Sequence, residues 1–142
     1  MKKFLPALWA LMVLTALGSC REGDSDQSIL AVVEKNVTAM NGKDLEAYMS
    51  TLHPEAPHYQ ATREHLARLF EHREFRVELL EARVVEKSKD LAGVRYVQIV
   101  RETDRGRPAR DVKRVGYLVM KKSRGAWKIL DSRVIEEAPL EP

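Results

Sequence analysis

FRVELLEARVVEKSKDLAGVRYVQIVRETDRGRPARDVKRVGYLVMKKSRGAWKILDSRVI, residues 75–135, contains the four β-prone segments that decide the fold. The predicted strands are 75–87, 92–103, 111–121 and 126–135, and only short polar segments separate them. The last two of these turns contain Gly106 and Gly125, which can adopt the positive φ of a tight hairpin. Connections this short cannot hold a crossover helix, so the sheet is predicted to be antiparallel.

Alternation in the last segment separates its two faces. Trp127, Ile129 and Asp131 fall on one face if the strand is unbroken, and this face is expected to pack against the helices. Helical patterns precede the sheet, with caps predicted at Ser28 and Asp44 and a third helix from about Thr62. The predicted fold class is therefore α+β, with N-terminal helices packed on a curved four-stranded antiparallel sheet.

The first 20 residues resemble the signal peptide of a bacterial lipoprotein. Two lysines precede a 14-residue apolar stretch, which is too short for a bilayer span of about 20 residues. The stretch ends in Leu-Gly-Ser-Cys, and Cys20 is the only cysteine in the chain. This lipobox resemblance implies that Cys20 is lipidated and anchors the protein to a membrane of the cell envelope. The alternative is an ordinary signal peptide cleaved at Ala16 or Ser19.

The organisation predicted from these features has four parts. They are a signal peptide at 1–19, the lipidated cysteine and a polar tether at 20–27, one domain at 28–137, and a tail at 138–142. Arg21 rather than Asp follows the cysteine, which favours the periplasmic face of the outer membrane if the cell has two membranes. Without Lys2 and Lys3, 22 basic residues face 21 acidic ones, so no electrostatic footprint for nucleic acid is predicted.

The order of helices and strands resembles the NTF2-like superfamily, which has a cystatin-like α+β fold and includes ketosteroid-isomerase-like proteins. The segments that carry the resemblance are Asn-Gly-Lys-Asp at 41–44, Val-Arg-Tyr-Val-Gln at 94–98 and Gly-Ala-Trp-Lys-Ile at 125–129. The resemblance covers about residues 28–137 and implies a cone-shaped sheet that can enclose a pocket. It implies no particular chemistry.

Six residues are candidates for the wall of that pocket. Asp131 continues the Trp127 face, Gln98 and Arg114 lie on neighbouring strands, and Tyr48 and Tyr59 come from the helical part. An Asp131 carboxylate held in an apolar pocket could act as a general base, whereas a solvated or ion-paired carboxylate could not. We therefore predict a non-catalytic domain that binds a small apolar ligand or a protein partner. The alternative is an enzyme of the same fold that uses Asp131.

The histidines do not form a metal-ligand pattern. His65 and His72 are seven residues apart, so on a helix their Cα atoms would be separated by about 10.5 Å. Zinc ligands on one helix are usually three or four residues apart. His53 and His58 share a loop with Glu55 but follow no recognisable motif. The sequence therefore predicts neither a metal nor a cofactor.

The outer face of the predicted sheet is more apolar than expected for a solvated surface. Val97 and Ile99 on the second strand and Val115 and Val119 on the third alternate with the predicted inner residues. One explanation is a second subunit on this face, which predicts a homodimer. The other is β-propensity combined with shielding by long Arg and Lys side chains.

Overall fold

Three helices precede four strands in the computed structural model, which describes residues 25–141. The helices are α1 (Asp26–Asn41), α2 (Leu45–Ser50) and α3 (Tyr59–Phe70), and the strands are β1 (Arg73–Lys87), β2 (Leu91–Asp104), β3 (Arg107–Ser123) and β4 (Ala126–Pro139). The predicted signal peptide and Cys20 lie outside the described residues. No helix within 25–141 has the length and apolarity needed to cross a lipid bilayer.

Capping side chains fix the starts of α1 and α2. Ser25 caps α1, where its hydroxyl accepts a hydrogen bond from the Ser28 amide at 3.2 Å. The start predicted at Ser28 is therefore wrong by one turn, and the end of the predicted tether is helical. Asp44 caps α2 as predicted, accepting from the Ala47 amide at 3.0 Å. The third helix begins at Tyr59, three residues earlier than predicted.

The four strands form one antiparallel sheet in the order β1-β2-β3-β4, which confirms the predicted topology. Two hairpin loops have only two residues, Arg105-Gly106 and Arg124-Gly125, and all four residues have positive φ. This is the type I′ turn that matches the twist of antiparallel strands. The fourth strand continues to Pro139, so the first two of the five residues of the predicted tail belong to the sheet.

The inner face of the sheet packs against α1 and forms the core. Trp127 and Ile129 are both buried, as predicted, together with Met120, Val94 and Ile29. Residues 51–53 run beside β4 as a parallel bridge. The Ile129 amide donates to the Thr51 carbonyl at 2.8 Å, and the His53 amide donates to the Ile129 carbonyl at 2.7 Å. These bonds close one end of the curled sheet.

The prediction of an unbroken fourth strand is wrong. Ile129 is paired with Met120 and Asp131 is paired with Val119, so Leu130 is an extra residue in a β-bulge. The bulge moves the side chains that follow it, up to a second bulge later in the strand, to the opposite face. Asp131 therefore lies on the outer face, where its carboxylate is 3.7 Å from Arg133.

The outer face is crossed by ion pairs. Arg95 lies 3.5 Å from Glu81, and Arg101 lies 3.7 Å from Asp111. On the same face Val97 is only 9% exposed in the single chain. Burial at this position is therefore a property of the single chain, while the homodimer stays a prediction.

Candidate functional site

A cavity of about 410 Å³ lies between the inner face of the sheet and the three helices. This volume falls within the range of about 300–1,000 Å³ that is usual for small-molecule sites. One wall is apolar, because α1 presents Val33, Val37 and Met40 at helical spacing, opposite Val100 and Leu118 of the sheet. The cavity thus offers an apolar surface to a ligand.

Strand register places a row of polar side chains at the other end. Gln98 of β2 is paired with Arg114 of β3, which is paired with Glu137 of β4. Arg114 Nε donates to Glu137 Oε2 at 2.9 Å, and Arg110 also donates to Glu137. These two hydrogen bonds hold the pKa of Glu137 below its usual value, and the bond from Arg110 has the larger effect.

A partly buried ion pair lies nearby on the same face of the sheet. The Glu102 carboxylate is 7% exposed and accepts a hydrogen bond from Arg73, whose guanidinium is also 3.8 Å from Asp104. Arg73 Nε is buried and has no hydrogen-bond partner among the described residues. Since burial of an unpaired carboxylate would be costly, Arg73 is needed to keep Glu102 inside the fold.

Tyr48 and Tyr96 bring hydroxyl groups to the middle of the cavity. Burial raises the pKa of Tyr48, and a hydrogen bond with Asn36 partly offsets that effect. Asn36 also donates to Thr51 Oγ1 at 2.8 Å, which fixes its side chain between α1 and the closed end. Tyr96 lies over Gly116, where a Cβ atom would come within 2.2 Å of the ring. Glycine is required there because the ring occupies the space of a side chain.

Three of the six residues predicted for the pocket line the cavity. Tyr48, Gln98 and Arg114 do so, whereas Trp127 is part of the core and Tyr59 does not contribute to the wall. The bulge removes Asp131 from the cavity, and Ser132 lines it instead.

Sequence reasoning missed several polar residues of the wall, among them Glu102, Arg73, Asn36 and Arg110. Glu102 had a usable signal, because it continues the alternation of Tyr96, Gln98 and Val100. Arg73 and Arg110 lay outside the strands predicted from the sequence, so no such signal was available for them.

The charged groups of the cavity are paired rather than isolated. Glu102 is held by Arg73, while Arg110 and Arg114 both bind Glu137, which does not itself line the cavity. Within residues 25–141 no group of three His, Cys, Asp or Glu side chains could hold a metal ion. The buried His53 serves the loop, since its Nδ1 accepts from the Glu55 amide at 3.0 Å. The arrangement is suited to binding an amphipathic molecule.

A second depression of about 620 Å³ lies at the β2–β3 hairpin. Although its volume is larger, only His72 and four residues of the hairpin line it, and it opens to solvent. The smaller cavity has walls from all three helices and all four strands. The smaller cavity is therefore the better candidate for a ligand site.

The chain matches the family described as "Anti-sigma-I factor RsgI9, C-terminal domain" over residues 31–140. No curated protein sequence matches the chain.

Solved structures match over most of the chain. A ketosteroid isomerase-like protein from Erwinia carotovora atroseptica is 23% identical, with a TM-score of 0.61, and the match covers 78% of this chain and 95% of that one. An NTF2-like protein of unknown function from Pseudomonas putida is 13% identical, with a TM-score of 0.61 and coverage of 76% and 83%. These similarities show the NTF2-like fold.

Bd1075 from Bdellovibrio bacteriovorus is 20% identical, with a TM-score of 0.66. The match covers 80% of this chain but only 41% of Bd1075, so the similarity is confined to part of that protein. At this identity the similarity again concerns the fold alone.

Proposed function

We propose that this chain, which belongs to the family of the anti-sigma-I factor RsgI9 C-terminal domain, is a lipid-anchored protein of the cell envelope. Its NTF2-like domain binds a small, mainly apolar ligand without catalysing a reaction. The observation that carries this proposal is the cavity of about 410 Å³, with an apolar wall and a polar end. The ion pairs formed by the charged groups of the cavity wall and the position of Asp131 on the outer face favour binding over an Asp131-based reaction.

Export and lipidation at Cys20 are supported by the lipobox resemblance of the leader. The family takes its name from an anti-sigma factor. A domain anchored outside the cytoplasm would instead meet molecules of the envelope, so we propose a ligand from that compartment. Cys20→Ser should release the protein from the membrane fraction or stop its processing. Failure of a fatty-acid analogue to label the wild-type protein would contradict the anchor.

The fold supports a defined orientation on the membrane. Asp26, at the start of α1, forms an ion pair with Lys87 at one end of the sheet. Between Cys20 and Asp26 an extended chain reaches at most about 20 Å. The polar end of the cavity, marked by Glu102 and Arg110, lies towards the opposite end, beside the β2–β3 hairpin. This end would face away from the lipid surface, so a ligand could enter from water.

The size of the cavity limits the ligand. At about 30 Å³ for each water of the liquid, its volume equals that of roughly 14 waters, which suits a molecule of about 10–14 non-hydrogen atoms. Thermal unfolding should detect such a ligand, because binding to the folded state raises the melting temperature. Trp127 reports unfolding, since it is 4% exposed in the folded domain and the other tryptophan, Trp9, belongs to the predicted leader. If no small amphiphile of this size stabilises the protein, the proposal is wrong.

A further inference from the structure

At the polar end of the cavity positive and negative charges are unevenly distributed, and unused hydrogen-bond donors lie beside them. Arg110 and Arg114 share the single carboxylate of Glu137. The charge balance is opposite at the neighbouring ion pair, because the single guanidinium of Arg73 faces two carboxylates, those of Glu102 and Asp104. Positive charge therefore predominates locally at the two arginines of β3, which share one carboxylate.

Arg114 has the geometry to bind a further group. Among the hydrogen bonds of the described residues it donates only from Nε, to Glu137, which leaves both Nη groups available. Its side chain is 19% exposed and lines the cavity. Gln98 lies beside it in the strand register and its amide also has no partner among residues 25–141. Two side chains thus present N–H donors to the same space.

We infer that the ligand carries a carboxylate, which binds Arg114 and Gln98 while its apolar part lies against α1. The inference rests on the proposed ligand-binding function and adds the chemical class of the ligand. A guanidinium and a carboxylate can form two parallel hydrogen bonds, and such charge-assisted bonds are among the strongest in proteins. The apolar wall, which includes Val33, Val37 and Leu118, accommodates the remainder of the molecule.

Glu137 competes with the ligand in this arrangement. Its carboxylate already occupies one edge of Arg114 and is only 26% exposed. An incoming carboxylate would bind near a negative charge, so removal of that charge should strengthen binding. This expectation distinguishes a binding role of the arginines from a purely structural one, in which loss of Glu137 would bring no gain.

The test uses the full lipid-anchored protein in phospholipid nanodiscs. Empty nanodiscs measure how much ligand partitions into the lipid, which gives the free ligand concentration. Phenylbutyrate and phenylbutanol differ mainly in the carboxylate and both fit the expected size. Thermal unfolding followed by Trp127 fluorescence gives their affinities. Phenylbutyrate should bind at least about tenfold more tightly, which corresponds to one charge-assisted hydrogen bond.

Variants separate the contributions. Arg114→Met should abolish the preference for phenylbutyrate, and Glu137→Gln should increase it, while binding of phenylbutanol changes little. Arg95→Met is the matched control, because Arg95 lies on the outer face and pairs with Glu81. It should leave both affinities unchanged.

Several outcomes would overturn the inference or what it rests on. Equal binding of the two probes would overturn the carboxylate assignment but leave the binding function intact. Binding of neither probe would contradict the proposed function itself. If Arg114→Met does not fold, the test rests on Glu137→Gln, and an unchanged or weaker affinity of that variant for phenylbutyrate would overturn the inference.

Discussion

Gly116→Ala should reduce the cavity from within. Gly116 is paired with Tyr96 across the sheet, and an added Cβ would lie 2.2 Å from both Cζ and Oη of that ring. Ordinary contacts between carbon atoms are about 3.5–4.0 Å, so the ring has to move by about 1.5 Å. Tyr96 lines the cavity and is 6% exposed, so the cavity provides the free space for this movement.

The substitution should have two measurable effects. Overpacking in protein cores costs about 1–3 kcal/mol, and the adjacent cavity should keep the loss near the lower end. The displaced ring also occupies part of the ligand volume, so ligand affinity should fall by about tenfold, equivalent to about 1.4 kcal/mol. Urea denaturation followed by Trp127 fluorescence measures the first effect, and the melting-temperature shift with phenylbutyrate measures the second.

Gly93→Ala provides the matched control on the opposite face of the sheet. A Cβ at this position would lie 1.8 Å from the Tyr117 hydroxyl, which donates to Glu86 on the outer face. This variant should lose comparable stability without losing ligand affinity. An unchanged ligand affinity in Gly116→Ala would refute the assignment of the cavity as the binding site. An equal loss of ligand affinity in both variants would refute it as well.

Three further predictions concern the core, the pH dependence and the orientation. Trp127→Ala should lower the free energy of unfolding by about 3–5 kcal/mol, and a loss below about 1 kcal/mol in urea denaturation would contradict its place in the core. The pKa of Glu137 is lowered in the fold. Its contribution to the free energy of unfolding is therefore complete above the unfolded-state pKa of about 4.3 and is lost as the pH falls through the folded-state pKa. Stability should therefore decrease in acid, less steeply in Glu137→Gln, and identical pH profiles would contradict this ion pair. A fluorophore on Lys89→Cys, at the end near the membrane, should be quenched by lipid-embedded quenchers more than one on Arg107→Cys. The reason is that β2 separates the two turns by about 45 Å. Equal quenching at the two positions would contradict the proposed orientation.

The sequence was sufficient for the topology because local chemistry decides it. Gly106 and Gly125 each follow a residue that also adopts positive φ, so both hairpins close with two residues and the strands must be antiparallel. The aspartate at 44 caps α2 in the same local manner. Burial of Trp127 and Ile129 followed from simple alternation, since no bulge occurs between them.

The site was less predictable because it depends on register and on distant partners. Nothing in the residues around Leu130 marks a bulge, although this one extra residue moves Asp131 out of the cavity and Ser132 into it. The pairing of Arg114 with Glu137 requires a second bulge later in β4. This bulge lies opposite Val115 and Gly116 of β3. Such irregularities arise from packing of the whole sheet, which alternation along one strand does not contain.

Methyl NMR with phenylbutyrate tests the binding cavity most directly. Intermolecular NOEs are expected from the phenyl ring to the methyl groups of Val33, Val100 and Leu118, which line the cavity. None is expected to Val85 or Ile135, which are 46% and 62% exposed outside it. NOEs confined to the exposed methyl groups, or no NOE to any methyl group at saturating ligand, would contradict a ligand-binding cone.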